Sequence, residues 1–140
     1  MIYIVDFGSQ VTQLIARRVR EAGVYCEIVS NKNLLSKIKD IKPTGIIFSG
    51  GPASVHKSRT PKINQKIFSL NIPILGICYG MQLIVYQLGG RVEISNEREF
   101  GKTLITHTHK SELFQNIKLK NKQHYVWMSH GDKVIKLPNE

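Results

Sequence analysis

Short apolar runs and helical apolar stripes alternate along the first 90 residues of the chain. Residues 2–5 are apolar and predict a strand. A helix follows, with Val11, Leu14, Ile15, Val19 and Ala22 on one face and Gly23 ending it. Residues 25–29 predict a second strand, 34–38 a short helix, and 45–48 a third strand that runs into Ser49-Gly50-Gly51-Pro52. After residues 63–70 the unit repeats, with a strand over 72–77 and a helix over 79–88. Repeated β-α units predict an α/β fold with a doubly wound, mostly parallel sheet flanked by helices, whose ligands gather at the carboxyl ends of the strands. From residue 91 the pattern changes to short β-prone pieces, 91–94, 102–106, 125–128 and 133–135, which read as antiparallel additions. No internal repeat, linker or low-complexity segment interrupts the chain, so residues 1–140 are expected to form one domain.

The stretch 71–82 carries the sharpest chemical signal. An apolar run stops at Gly76-Ile77-Cys78-Tyr79-Gly80 and turns helical, with Leu83, Tyr86 and Gln87 at helical spacing. Cys78 therefore falls at a strand-to-helix turn with glycine two positions to either side. A nucleophile elbow needs such small neighbours because its central residue is held in a strained conformation. A thiol at a helix N-terminus also feels oriented N–H groups, which favour thiolate and predict a pKa below the ordinary value. The same pattern fits a small, inert, buried cysteine, and the glycine spacing alone does not separate the two.

Composition narrows the setting. A 140-residue chain with 41% hydrophobic residues can bury a core without disulfides or metal. The two cysteines, Cys26 and Cys78, lie in different contexts, no apolar run reaches the roughly 20 residues needed to span a bilayer, and no signal peptide precedes the first strand. A soluble protein of the reducing cytoplasm is expected, without a membrane partner. Lys and Arg total 20 against 10 Asp and Glu, a formal charge of +10. The lysines are scattered through Asn/Ile-rich stretches without interleaved aromatics, which argues for a solvated basic surface rather than a nucleic-acid site. Attraction for phosphate-bearing ligands or an acidic partner domain is the other reading of that charge. His107 and His109 alternate along a β-prone run but lack Cys, Asp or further His partners, so no metal site is expected there.

Beyond the elbow, several blocks carry a family resemblance. Asp6-Phe7-Gly8-Ser9-Gln10 leading into Gln13-Leu14-Ile15-Ala16-Arg17-Arg18-Val19-Arg20, the run Gly23-Val24-Tyr25-Cys26-Glu27, Phe48-Ser49-Gly50-Gly51-Pro52-Ala53-Ser54 and Trp127-Met128-Ser129-His130-Gly131-Asp132-Lys133 all contribute. Together with the elbow they resemble the class I (triad) glutamine amidotransferases over nearly the whole chain. Tyr79-Gly80-Met81-Gln82, where many sister branches carry Leu-Gly-His-Gln, and the block from Ser129 to Asp132 favour the GMP synthetase branch. The resemblance implies a flavodoxin-like amidotransferase fold that hydrolyses glutamine to glutamate and ammonia. It implies Cys78 as nucleophile, the backbone N–H groups of Gly51 and Tyr79 as oxyanion hole, and Gln82, Ser129, His130 and Asp132 as substrate-binding positions. Gly51 suits its role because, without a Cβ, its backbone can approach substrate closely. Cys26 is expected to be structural.

The resemblance also places a histidine and a glutamate, two residues apart, in a Phe-His-Pro-Glu-like block beyond residues 127–133. His56, His107, His109, His124 and His130 are followed at that distance by Ser58, His109, Ser111, Val126 and Asp132, so no His-x-Glu occurs here. The expectation is an amidotransferase domain lacking its C-terminal part, inactive alone for want of an acid/base. The implied synthetase domain or subunit, which uses XMP, ATP and Mg²⁺, is the expected partner together with glutamine, and a homodimer is implied for the full-length protein. No cofactor is expected in residues 1–140. A second class of function is a non-catalytic glutamine-binding or regulatory module; another class I amidotransferase subunit is a third reading.

Overall fold

The computed structural model describes residues 1–106, 112–114 and 123–139; the side chains of residues 95–100, 112, 129 and 130 lie outside that description. His107 and His109 fall among the residues not described. The chain divides into two compact units, residues 1–94 with 132–140, and residues 95–131.

The first unit is built on a four-stranded sheet of order β2-β1-β3-β4, from β1 (Ile2–Asp6), β2 (Cys26–Ser30), β3 (Gly45–Phe48) and β4 (Ile74–Gly76). Every pairing is parallel, with Ile4 opposite Ile28 and Ile47, and Phe48 opposite Gly76. Helices α1 (Thr12–Glu21), α2 (Leu34–Asp40) and α3 (Tyr79–Gln87) follow β1, β2 and β4, while β3 is followed by a loop and a short 3-10 helix, Gln65–Ser69. The order reverses beside β1, with β2 on one side and β3 on the other, which puts the topological switch point at the carboxyl ends of β1 and β3.

Strand alternation divides the core into two layers. On one face Tyr3, Val5, Val29, Ile46 and Phe48 pack with Leu34 and Ile38 of α2, Tyr79, Leu83 and Val85 of α3, and Val55, Ile63 and Ile67. On the other, Ile4 and Cys26 pack with Ala16 of α1, flanked by Ile2, Ile15, Val19, Ile28 and Ile47. Helices thus cover both faces, the doubly wound arrangement expected from the sequence.

Several details differ from the sequence reading. The inward stripe of α1 is Thr12 and Ala16, both buried, with Ile15 and Val19 half-buried, while Val11 and Leu14 are 45% and 48% exposed and Ala22 is exposed too. Val11 is the N-cap rather than a helical residue, and Thr12 is drawn inward because its hydroxyl lies 2.9 Å from Asp6 Oδ1 and 3.2 Å from the Ser49 hydroxyl. These two partners of the Thr12 hydroxyl, one of them the buried Ser49, outweigh the exposure of Leu14. Tyr86 of α3 is exposed and lies edge-on to His56. The β-prone pieces from residue 91 join into two long strands, β5 (Arg91–Thr106) and β6 (Gln123–Lys136), paired in a separate two-stranded sheet. Residues 129–132, which fall between two of the expected β-prone pieces, therefore lie within β6: ladder pairing carries the backbone through polar stretches that apolar alternation does not mark. The described residues of the second unit are the parts of β5 and β6 within 95–131 and a 3-10 turn, Glu112–Phe114.

Candidate active site

The turn from β4 into α3 has the geometry of an elbow. Cys78 has φ 50° and ψ −114°, a left-handed backbone on a residue with a Cβ, and it is the N-cap of α3. Such conformations cost of order 1–3 kcal/mol and persist only where their surroundings enforce them. Ile77 N–H donates to Phe48 O at 2.9 Å, Gly80 N–H to Ser49 O at 3.1 Å, and Gln82 N–H to Cys78 O at 3.1 Å. The turn is thus bolted to the end of β3 on one side and to its own helix on the other. A Cβ on Gly76 would lie 2.5 Å from Met81 Cα and 2.6 Å from Met81 N, and one on Gly80 would collide with the Phe48 carbonyl. The glycines flanking Cys78 are required by backbone on both sides, as the spacing predicts.

Opposite Cys78 lies the turn after β3. A Cβ on Gly50 would stand 3.5 Å from Cys78 Cβ and from Ser9 Oγ. Gly51 follows, and its missing Cβ has a reason within the fold: a Cβ there would meet Phe7 O at 2.7 Å and Phe7 Cβ at 3.2 Å, so the residue after β1 already excludes a side chain. Ser49, fully buried, fixes this turn: its hydroxyl accepts from Phe7 N–H at 3.3 Å and lies 3.0 Å from Gly50 O. Asp6 Oδ1 accepts from the Thr12 hydroxyl and from Gly8 N–H, both at 2.9 Å, and closes the network at the end of β1. Sequence reading missed Asp6, Phe7, Thr12 and Ser49 as parts of the site. Asp6 two residues before Gly8 is an Asx-turn signal that could have found one of them.

Cys78 is exposed, whereas Cys26 is buried with its thiol 3.4 Å from Ala16 O. The protein atoms around Cys78 still push its thiol pKa above the ordinary value, by desolvation. That is opposite in direction to the lowering expected from the helix N-terminus: partial loss of water dominates. Tyr79, first residue of α3, has its ring buried, its N–H in the first turn where no intrahelical acceptor exists, and its hydroxyl 2.5 Å from Pro61 O.

Gln82 is buried rather than solvated, and its Nε2 donates to Asp132 O at 2.9 Å, so the structure brings these two predicted positions together. Ser129 and His130 lie on the backbone of β6, with side chains outside the description. Gly51, Cys78 and Tyr79 sit at the carboxyl ends of neighbouring strands. Among the described residues no three His, Cys, Asp or Glu side chains gather to hold a metal ion, and no helix is long and apolar enough to cross a membrane.

The family model for glutamine amidotransferase class-I matches residues 3–140. The chain belongs to this family. It is 50% identical over 137 residues to a glutamine-hydrolysing GMP synthase of Bradyrhizobium diazoefficiens, covering 98% of the chain and 25% of that protein. To the protein of the same name from Helicobacter pylori strain P12 it is 54% identical over 138 residues, covering 99% and 27%. The chain thus spans about a quarter of the length of these curated relatives. The crystal structure of a GMP synthase subunit from Thermoplasma acidophilum superposes with TM-score 0.77 at 31% identity, over 99% of this chain and 68% of that one. A glutamine amidotransferase from Thermotoga maritima, at TM-score 0.69 and 18% identity over 98% and 62%, shares the fold. This amidotransferase chain is homologous to the N-terminal part of these GMP synthases.

Proposed function

We propose that residues 1–140 form the glutamine-binding part of a glutamine-hydrolysing GMP synthase, with Cys78 as its nucleophile. The observation that carries this reading is the left-handed backbone of Cys78, held directly opposite the Gly50–Gly51 turn. Cys78 Sγ, as thiolate, attacks the side-chain amide carbon of glutamine, forming an S–C bond and driving the carbonyl electron pair onto oxygen. The N–H groups of Gly51 and Tyr79 donate hydrogen bonds to that oxygen, and donors aimed in advance at a developing oxyanion are each worth about 10²–10³ in rate. The C–N bond then breaks, ammonia leaves with an added proton, and water cleaves the thioester to glutamate and free thiol. Gln82 and Asp132 hold the amino-acid end of the substrate; Ser129 and His130 are the further substrate-binding positions that the family resemblance implies.

The raised pKa of Cys78 makes this scheme depend on a base. In this reading the histidine and glutamate of a His-x-Glu pair, which has no counterpart in the 140 residues, take the thiol proton and pass it to ammonia. The synthetase part receives the ammonia for conversion of XMP to GMP in purine nucleotide synthesis, and any ATP and Mg²⁺ belong to it; no step at Cys78 runs through them. A cytoplasmic setting and a homodimer of the whole protein complete the proposal.

The test uses a glutamine-shaped chloroketone, whose carbonyl oxygen takes the place of the amide oxygen while Sγ displaces chloride. Peptide mapping after brief exposure is expected to find Cys78 alkylated well before Cys26, with free glutamine slowing the reaction. Equal labelling of the two cysteines, or no protection by glutamine, overturns the reading.

A further inference from the structure

The two N–H groups assigned to the oxyanion hole sit on different elements, Gly51 on the loop after β3 and Tyr79 on α3. Their separation is the quantity that oxyanion stabilisation depends on, and it is set by whatever joins loop to helix. Backbone bonds from Ile77 and Gly80 to Phe48 O and Ser49 O join the elbow to the start of that loop, and two contacts of one side chain join the rest of it. The Tyr79 ring packs edge-on against Phe7, centroids 5.3 Å apart, and Phe7 is the residue whose carbonyl and Cβ lie directly under Gly51. At the far end of the same ring, the Tyr79 hydroxyl donates to Pro61 O at 2.5 Å, with the Thr60 hydroxyl as a further neighbour, on the returning limb of the loop that begins at Gly51. Phe7 is itself held by the edge of Phe48 at 5.7 Å and by its N–H to Ser49. The loop has a second attachment to α3, independent of the first: Gln87 Oε1 accepts from Ile63 N–H at 3.0 Å and its Nε2 donates to Ile63 O at 2.7 Å.

We propose that the Tyr79 side chain is a positioning residue for glutamine hydrolysis: ring against Phe7 and hydroxyl on Pro61 clamp the loop to α3 and fix the spacing of the Gly51 and Tyr79 N–H groups. This rests on the reading of those groups as the oxyanion hole. The same residue thereby supplies one donor through its backbone and aligns the other through its phenol. A phenylalanine keeps the Phe7 contact and loses the tether, leaving Pro61 O without its buried donor. Gln87 secures the loop a full two turns along the helix, beyond the Phe7–Gly51 contact, and does not set the donor spacing.

The experiment compares alkylation of Cys78 in the 140-residue chain by the glutamine-shaped chloroketone, which passes through a tetrahedral oxyanion, and by iodoacetamide, which does not. The rate ratio reports the oxyanion site and cancels changes in thiol exposure or ionisation. Tyr79→Phe is expected to lower the ratio about tenfold, the effect of one hydrogen bond's worth of misalignment, and to speed amide hydrogen exchange across residues 60–63. Gln87→Met is expected to speed exchange at residue 63 and keep the wild-type ratio. A wild-type ratio in Tyr79→Phe overturns the proposal, and so does an equal fall in Gln87→Met, which would make loop anchoring in general the cause. If the wild-type chain shows no glutamine protection of Cys78, the reading beneath falls first, and the role of Tyr79 in donor spacing falls with it.

Discussion

Between β1 and α1 the chain uses residues 7–11, and the left-handed step falls on Gly8, at φ 87°, where a side chain would meet nothing closer than Pro52 Cδ at 3.8 Å. Between β4 and α3 only residues 77 and 78 intervene, and the left-handed step falls on a cysteine at φ 50°. The first turn is held by side chains: the Asp6 carboxylate accepts from Gly8 N–H and from the Thr12 hydroxyl, and the Ser9 hydroxyl accepts from Val11 N–H. The second is held by backbone bonds and by two glycines whose Cβ positions are filled by other backbone. Glycine at position 78 would relieve the strain, so the cysteine side chain is retained at a cost in stability. A residue held where it is locally unfavourable, in a turn fixed from both sides, supports the proposed role of Cys78.

The comparison breaks most sharply at the glycines. Gly80→Ala forces a Cβ into the Phe48 carbonyl, with no flexible side chain to give way, and should cost about 3 kcal/mol or more. Gly8→Ala meets open space and should cost only about 1–2 kcal/mol, for its left-handed backbone. Urea unfolding of both variants is the check. A Gly80→Ala no worse than Gly8→Ala would mean that the elbow is loosely packed.

The side-chain network of the first turn comes next. Ser49→Ala removes the acceptor of the buried Phe7 N–H and the partner of Thr12, and should cost about 2 kcal/mol, since a buried donor is left unmade. Because Ser49 also steadies Gly50, alkylation of Cys78 by the glutamine-shaped probe should slow in the same variant. Loss of stability with unchanged labelling would separate the network from the site.

How much of this was legible beforehand follows from the range of the interactions. The strands, the α3 start at Tyr79 and the elbow were readable because alternation, glycine spacing and turn residues act within a few positions. The true buried face of α1 was not, because Thr12 is drawn inward by Asp6 and Ser49, partners 6 and 37 residues away. Gly51 was singled out correctly as a position needing glycine, yet the atom that excludes a side chain belongs to Phe7, invisible without the β1–β3 pairing. The direction of the Cys78 pKa was misjudged for a similar reason: the helix terminus is local in sequence, whereas the packing that dries the thiol is not. The long strands β5 and β6 were broken into pieces because their polar stretches carry no alternation to read.

Cys78→Gly sharpens the comparison in the opposite direction. The thiol is exposed, so little packing is lost, and glycine adopts φ 50° without strain. Relief of strain, less the entropy glycine adds to the unfolded chain, should raise stability by about 1 kcal/mol while abolishing alkylation. Unchanged or lowered stability, by the urea midpoint, would show that the turn is not strained at that residue.

The smallest effect concerns pH. Burial raises the folded thiol's pKa above that of the unfolded chain, so at alkaline pH the unfolded state ionises Cys78 first and binds fewer protons than the folded state. The contribution is fully present below the unfolded thiol's pKa and is lost as pH rises through the folded one. Cys78→Ser keeps the backbone and lacks the titration, so the stability difference between the two chains, measured by urea midpoint, should shift against the cysteine form as pH climbs past the ordinary thiol range. The shift is modest because the residue is exposed and solvent screens the charge. A difference that moves toward the cysteine form instead would mean that the helix N-terminus outweighs desolvation, and that Cys78 is ionised by its own turn without waiting for a base.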